Sequence, residues 1–510
     1  MPKLLFSIWR YYYFLLLPLF FVLHVNNHYF GLIHPAIVAT RWLAYSALTA
    51  AIYLLVLLIY KNRGKAAAFT SIFLVIFFGF GATKTFLATI PVIAAMAAYR
   101  YFLPLVLLAL LLLFFYFKRR SSPLPRFTRF ASLTIVVVTV LELAKLSMNT
   151  VTHAARKNDL GDPDNSIAAA FRPCAGCTTP DIYFLIFDEF TSSDCLKKNF
   201  GYSNDTLDSY LYKNHFFVSR SSQSNYSFTT FSIPATVDMQ YLRLPPGYTD
   251  ARAEDLSRGE YSFFNNNTFK VLEKQGYSIH NYSFFDAKDH PAAFGEYFKD
   301  LQGAYFDVET LYGRVKKDIG SFFTHPFSSS SPQEDSLLKR DYYMSRSNYL
   351  QNTIRMANAG IGGQDHSKKN FFFIHIMLPH DPYIYNADGS LGGYHHPDSL
   401  KGYLEQVKYA GKVLVNMIDG IQKASAGKAV IIAQGDHGFK GWRGNGNYES
   451  KAFQNLNAIY FPDSTYTGFY DGVSPVNTFR LVFNHYFHTN LPLLKDESKQ
   501  VFFRSGKNLF

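Results

Sequence analysis

Asp181-Ile-Tyr-Phe-Leu-Ile-Phe-Asp188-Glu189-Phe190 is an apolar, β-branched and aromatic run that stops on two adjacent carboxylates. A run without polar alternation predicts a strand buried on both faces, as in a parallel sheet. Acids at the C-terminal edge of such a strand sit where α/β folds place their ligands. A carboxylate pair there suits a divalent cation, and equally suits a strand that exits into an acidic loop. A second stretch has the same grammar. Ala429-Val-Ile-Ile-Ala-Gln-Gly-Asp436-His437-Gly438 also ends a buried run on a carboxylate, here joined by an imidazole. Two strands of one sheet would bring Asp188, Glu189, Asp436 and His437 to one edge. Carboxylate oxygens with one imidazole nitrogen suit Zn²⁺ or Mn²⁺ ahead of Mg²⁺ or Ca²⁺.

Between these strands lies Ser224-Asn-Tyr-Ser-Phe-Thr229-Thr230-Phe-Ser232-Ile-Pro234-Ala-Thr236. Hydroxyls crowd the approach to a proline suited to the first turn of a helix. A hydroxyl at a helix N-terminus beside a metal can act as a nucleophile. The plainer reading is a Ser/Thr-rich capping segment. A fourth piece, His375-Ile-Met-Leu-Pro379-His380-Asp381-Pro382-Tyr383, places His375 in a buried strand and His380 in a Pro-bounded loop. His380 is placed to hydrogen-bond an anion or to protonate a leaving group.

The long apolar runs lie before residue 149, at about residues 11–32, 42–60, 66–81, 101–117 and 130–148. Each approaches the roughly 17–25 residues needed to cross a bilayer, which predicts five spans. Lys61, Arg63 and Lys65 follow the second run. Lys118, Arg119, Arg120, Arg126 and Arg129 follow the fourth. The other connections carry only Arg41, Lys84 and Arg100. The positive-inside rule puts the N-terminus and both basic loops in the cytoplasm, and the remainder of the chain outside. The formal charge of +12 is thereby explained by topology, and no motif points to nucleic acid. Glu142 and Lys145, one turn apart in the last run, read as a pair on one helix face.

Residues 149–179 form a polar linker with Gly161, Pro163, Pro173 and a Cys174-Ala-Gly-Cys177 motif. With only three cysteines, the third being Cys195, the motif reads as structural or incidental, and outside the cytoplasm two of the three could form a disulfide. From residue 180 to 510 strands alternate with helical patterns, which predicts an α/β sheet. Residues 371–377 and 429–433 are further buried strands. Residues 401–424 form an amphipathic helix with Val407, Leu414, Met417 and Ile421 on its apolar side. Residues 328–336 read as a low-complexity surface loop.

Taken in order, the acid-tipped strand, the hydroxyl segment, the His-x-Pro-Tyr loop and Gly-Asp-His-Gly resemble the alkaline phosphatase superfamily. The sulfatase-like branch is the most similar; it includes membrane-anchored phosphoethanolamine and phosphoglycerol transferases and lipoteichoic acid synthases. The resemblance implies a transmembrane block of about five helices at 1–148, a linker at 149–179, and an alkaline phosphatase-like α/β domain with a mainly parallel sheet at 180–510. It implies one divalent metal held by Asp188, Asp436 and His437, with Glu189 as the neighbouring acid. It implies Thr229 as nucleophile and metal ligand, three residues before Ser232-Ile-Pro234, and His380 and His375 as substrate-binding. Ser232-Ile-Pro-Ala-Thr236 lacks the arginine of true sulfatases, which argues against sulfate esters. Lys440, Trp442 and Arg443 follow the Asp-His pair where phosphoethanolamine transferases carry a further histidine, so Arg443 or Lys440 takes the substrate anion. The implied function is phosphoryl-group transfer on a membrane lipid head group or envelope glycan, by a multi-pass inner-membrane protein with its domain on the outer side. The alternatives are a sulfatase-like hydrolase on the same scaffold and a non-enzymatic envelope protein.

Overall fold

The computed structural model describes residues 12–30, 33–120, 124–159, 165–243, 250–251, 253–324, 337–363, 365, 367–395, 399–441 and 451–503. The chain forms two compact units. One comprises Met1–Arg156 with Phe298–Arg340, and the other Lys157–Tyr297 with Asp341–Phe510. In the sequence division residues 298–340 sit inside the outer domain; in the structure they group with the N-terminal helices.

The first unit contains α1 (Leu16–His28), α2 (Pro35–Tyr60), α3 (Arg63–Thr89), α4 (Tyr99–Arg119) and α5 (Pro125–Asp159). Among the described residues four helices, α2 to α5, are long and apolar enough to cross a membrane. The expectation of five spans is corrected here. α1 has 13 residues, which rise only about 20 Å against a hydrocarbon core of about 30 Å. The helices begin where caps predict. His34 accepts from the Ala36 amide ahead of Pro35, and Asn62 accepts from the Lys65 amide. Tyr60, Phe69, Phe114 and Phe117 pack together where α2 and α4 end and α3 begins. That end of the bundle therefore carries both basic loops. The Glu142 carboxylate, expected to pair with Lys145, instead meets His24 at 2.8 Å and Asn27 at 2.7 Å on α1.

The second unit is built on a six-stranded sheet. Its strands are β1 (Ile182–Phe187), β2 (Phe217–Val218), β3 (Ser278–Tyr282), β4 (Asn370–Ile376), β5 (Val430–Gly435) and β6 (Asn457–Tyr460). Their order is β2-β6-β5-β1-β4-β3. β5, β1, β4 and β3 run parallel, and β6 is antiparallel to β5 and to β2. All six residues of β1 are buried. Tyr183, Leu185 and Phe187 enter one hydrophobic core, and Ile182, Phe184 and Ile186 enter another on the opposite face. This is why the run shows no polar alternation: a strand covered on both sides has no solvent face. Each such large side chain contributes about 1.5–3 kcal/mol by burial.

The register positions the site. Phe187 lies level with Gly435 on one side and with Ile376 on the other. The next residue along β1 is Asp188 and along β5 is Asp436, so the parallel pairing sets the two carboxylates side by side. The predicted helix appears as Leu400–Ala424, with Val407, Leu414, Met417 and Ile421 buried. Cys174 and Cys177 form a disulfide, pinned by reciprocal bonds of 2.9 Å between the Cys174 backbone and the Gln275 amide. Cys195 is buried and free.

Candidate active site

Three side chains at the tips of β1 and β5 each use one polar atom for the protein and leave another facing a common point. Asp436 Oδ1 accepts the amides of Glu189 and His437, both at 2.9 Å. Its Oδ2 has no hydrogen-bond partner and lies 3.3 Å from His437 Nε2. Asp188 Oδ2 meets His375 Nε2 at 3.2 Å. Its Oδ1 is also without a partner, 3.8 Å from His437 Nε2. His437 Nδ1 lies 2.9 Å from the Gly438 carbonyl, which assigns the proton to Nδ1 and leaves the Nε2 lone pair directed at the two carboxylates. All three side chains are buried.

The nucleophile candidate reaches the same point from a different element. α6 (Thr229–Asp238) starts at Thr229, and no side chain caps that first turn. Thr229 Oγ1 lies 3.3 Å from His437 Nε2. One turn on, Ser232 Oγ donates to the Asp436 carbonyl at 2.5 Å, which ties the helix to the β5 loop. Buried carboxylate oxygens without partners are costly unless a cation answers them. Asp188, Asp436 and His437 offer ligand atoms that all lie within 4.8 Å of one another. Two carboxylate oxygens, one imidazole nitrogen and an adjacent hydroxyl are a donor set that fits a divalent ion such as Zn²⁺ or Mn²⁺.

Backbone geometry fixes the loops around this point. Glu189 adopts φ 66°, a left-handed conformation that a non-glycine residue keeps only where its surroundings impose it. Here Asp436 holds its amide, and the Tyr403 hydroxyl donates to its carbonyl at 2.8 Å. Gly438 serves close approach rather than left-handed φ. A Cβ there would lie 2.2 Å from the Lys451 carbonyl.

The other expected residues fall around this centre. Glu189 is directed away from the Asp436 cluster: its Oε1 accepts the Lys440 amide at 2.7 Å, and it groups with His380 and Asp381. His375 is fully buried against Phe284 and Phe285 and faces Asp188, so it orients that carboxylate. His380 stays partly exposed, with Nδ1 2.7 Å from the Asp381 carbonyl. The Lys440 ammonium sits 5.0 Å over the ring of Phe228, the residue before Thr229. Arg443, also expected to bind substrate, lies outside the described residues, as does the loop expected at 328–336.

Sequence reasoning missed Gln406. Its amide donates to the Pro379 and His380 carbonyls at 3.1 and 3.0 Å and accepts the Ile384 and Tyr385 amides at 3.0 and 3.2 Å. Every donor and acceptor of this buried group is spent on the His380 loop. Tyr403 was missed for the same reason: both arise from the apolar face of the Leu400–Ala424 helix, where sequence pattern suggests only packing.

Burial favours the neutral form of each acid, but the sites divide. At Asp188 burial is outweighed by the charge of His380 and the hydrogen bond from His375, which hold its carboxyl well below the usual range. At Glu189 burial wins and pushes the carboxyl up to about 7, against the pull of His380 and Lys440. Burial lowers His437 to about 4, so its imidazole is neutral at pH 7 and able to ligate. At His380 burial is overcome by Asp188, Asp381 and Glu189, which raise its pKa.

No protein-family model matches this chain, and no curated protein sequence does. Among solved structures it is similar to the integral membrane protein lipooligosaccharide phosphoethanolamine transferase A from Neisseria meningitidis. The match has 11% identity and a TM-score of 0.37, and covers 92% of this chain and 95% of that one. It is similar to the zinc complex of the C-terminal periplasmic domain of EptC from Escherichia coli, at 11% identity and a TM-score of 0.37, over 62% of this chain and 86% of that one. A third is the lipoteichoic acid synthase LtaP from Listeria monocytogenes, at 12% identity and a TM-score of 0.33, over 66% and 78%.

Proposed function

We propose that this chain is a membrane-anchored, metal-dependent phosphotransferase that uses Thr229 as its nucleophile on a lipid head group or envelope glycan. The observation that carries the reading is the convergence of Thr229 Oγ1, His437 Nε2 and the unpartnered oxygens of Asp188 and Asp436. Asp188, Asp436, His437 and Thr229 would hold one divalent ion, with Glu189 beside them. When bound, that ion lowers the pKa of the Thr229 hydroxyl and offsets charge on the phosphoryl oxygens.

The chain's own residues supply the rest. The Thr229 hydroxyl gives up its proton to solvent, and its oxygen forms a bond to phosphorus as the bond to the departing oxygen breaks. His380, whose pKa is raised by Asp188, Asp381 and Glu189 against the effect of burial, hands a proton to that departing oxygen. The uncapped amides at the start of α6 and the Lys440 ammonium face developing negative charge. An acceptor hydroxyl then forms a bond to phosphorus as the bond to the Thr229 oxygen breaks; the acceptor's proton goes to His380, and the Thr229 oxygen takes a proton back from solvent. Water in place of the acceptor gives hydrolysis.

The proposed location is the outer face of a plasma membrane. α2 to α5 alternate in direction, with Lys61, Arg63 and Lys65, and Arg119, Arg126 and Arg129, at one end. The chain leaves α5 at the other end toward the second unit, so the positive-inside rule places that unit outside. This holds whether or not α1 crosses. The test is turnover of phospholipid vesicles by the purified full chain after chelation and metal return. Cleavage restored by Zn²⁺ or Mn²⁺ in the wild type and absent in Thr229→Ala supports the reading. Turnover unaffected by chelation would overturn it.

A further inference from the structure

Residues 298–340 interrupt the second unit's chain yet belong with the membrane helices. Their described part includes α7 (Glu296–Asp307), which begins just before them, α8 (Leu311–Thr324) and the start of the Leu337–Gly363 helix. Their described side chains meet the bundle at the end without the basic loops. Phe306 is fully buried in the helical core, and Tyr305 stacks on Tyr29 at 4.4 Å. Gln302 accepts the His34 amide at 2.7 Å.

Two features show that this seat is built for the insertion. The first is steric. The Gly81 amide on α3 donates to the Glu309 carbonyl at 2.9 Å. A Cβ on Gly81 would lie 2.3 Å from the Val308 carbonyl and 2.7 Å from Glu309 Cα, so only glycine admits this contact. The second is charge. Arg41 and Lys84 lie at the end of the bundle without the basic loops. Asp307 meets Arg41 at 2.9 Å and accepts from Tyr45 at 3.3 Å. Asp318 meets Lys84 at 3.2 Å and accepts from Tyr99 at 2.7 Å. Cations near a membrane boundary are favourable where a carboxylate and hydroxyls answer them.

We propose that the helix pair α7–α8 is a docking element that fastens the outer unit to the membrane block without a covalent bond, independently of the linker. The linker is then one of two attachments. The insertion, carried on the outer unit's chain, is the other. This inference does not depend on the reaction proposed for the site.

The test uses the full chain in membrane vesicles, with a protease site placed after Gly161. After cleavage and sedimentation, the outer fragment of the wild type is expected to stay with the membranes. Gly81→Val fills the space of the contact while leaving a residue tolerated within an apolar helix. It is expected to move at least five times more of the cleaved fragment into the supernatant. Should that variant fail to accumulate, Asp307→Arg gives the same release, and adding Arg41→Asp to it restores retention. Release of the wild-type fragment on cleavage, or full retention of the Gly81→Val or Asp307→Arg fragments, overturns the proposal.

Discussion

Thr229 Oγ1 and His437 Nε2 lie 3.3 Å apart, although 208 residues separate them in the chain. Parallel pairing of β1 with β5 brings Asp188 level with Asp436, and Ser232 locks the first turn of α6 to the Asp436 carbonyl. Thr229→Ala is therefore expected to remove at least about 10³-fold of the turnover, with metal content retained in large part. Thr229→Ser keeps the oxygen and is expected to keep measurable activity. Rate assays on vesicles, with metal analysis of the same preparations, check both.

Asp436→Asn separates folding from metal binding. The retained carbonyl oxygen still accepts the Glu189 and His437 amides, while the oxygen directed at His437 becomes an NH₂ group. The expected result is a folded protein whose bound Zn²⁺ or Mn²⁺ falls tenfold or more, read by elemental analysis beside a melting curve.

Gln406→Glu tests whether the His380 loop is held for chemistry. One oxygen of the new carboxylate still accepts the Ile384 and Tyr385 amides, but the other confronts the carbonyls of Pro379 and His380. Displacing the loop by about 1 Å lowers kcat by up to about 10²-fold. Metal content is expected to stay at the wild-type level, because Gln406 touches no ligand. A fall in metal content instead would assign Gln406 to the fold of the whole site.

Glu189 gives a pH-dependent outcome in the chelated protein. Its carboxyl titrates near 7 in the fold against 4.5 in the unfolded chain. A raised folded pKa means that stability is present below about 4.5 and lost as pH rises through about 7. Glu189→Gln removes that loss. The variant is expected to be more stable than the wild type at pH 8 by about 3 kcal/mol, and no more stable below the unfolded value. Thermal melts across pH with chelator present check this. If the sign reverses when metal is restored, Glu189 is a direct ligand.

Much of the second unit was legible because a strand buried on both faces writes an unbroken apolar run. β1, β4 and β5 and the Leu400–Ala424 helix lie close to their predicted positions. Asp188, Asp436 and His437 were legible as motifs at strand ends, and Thr229 as part of a hydroxyl-rich segment leading into a helix. What pattern could not give were contacts set by tertiary packing. Gln406 and Tyr403 are polar groups on an apolar helix face, and His375 is identifiable as a partner of Asp188 only once β1 and β4 are paired. The helix pair at α7 and α8 is amphipathic in a way that fits any surface helix, so its seat on the membrane block was invisible. The first apolar run counted as a span because residues beyond either end of α1 are also apolar, whereas its helix is short.

The central claim is that phosphoryl transfer passes through Thr229 in a metal-dependent step. Its most direct measurement is peptide mass spectrometry of the full chain after brief incubation with Zn²⁺ or Mn²⁺ and phosphate-labelled phospholipid vesicles. The account predicts label on the peptide containing Thr229, localised to that residue, absent after chelation and absent in Asp436→Asn. Turnover of the lipid with no label on Thr229, or label there that persists without metal, would contradict it.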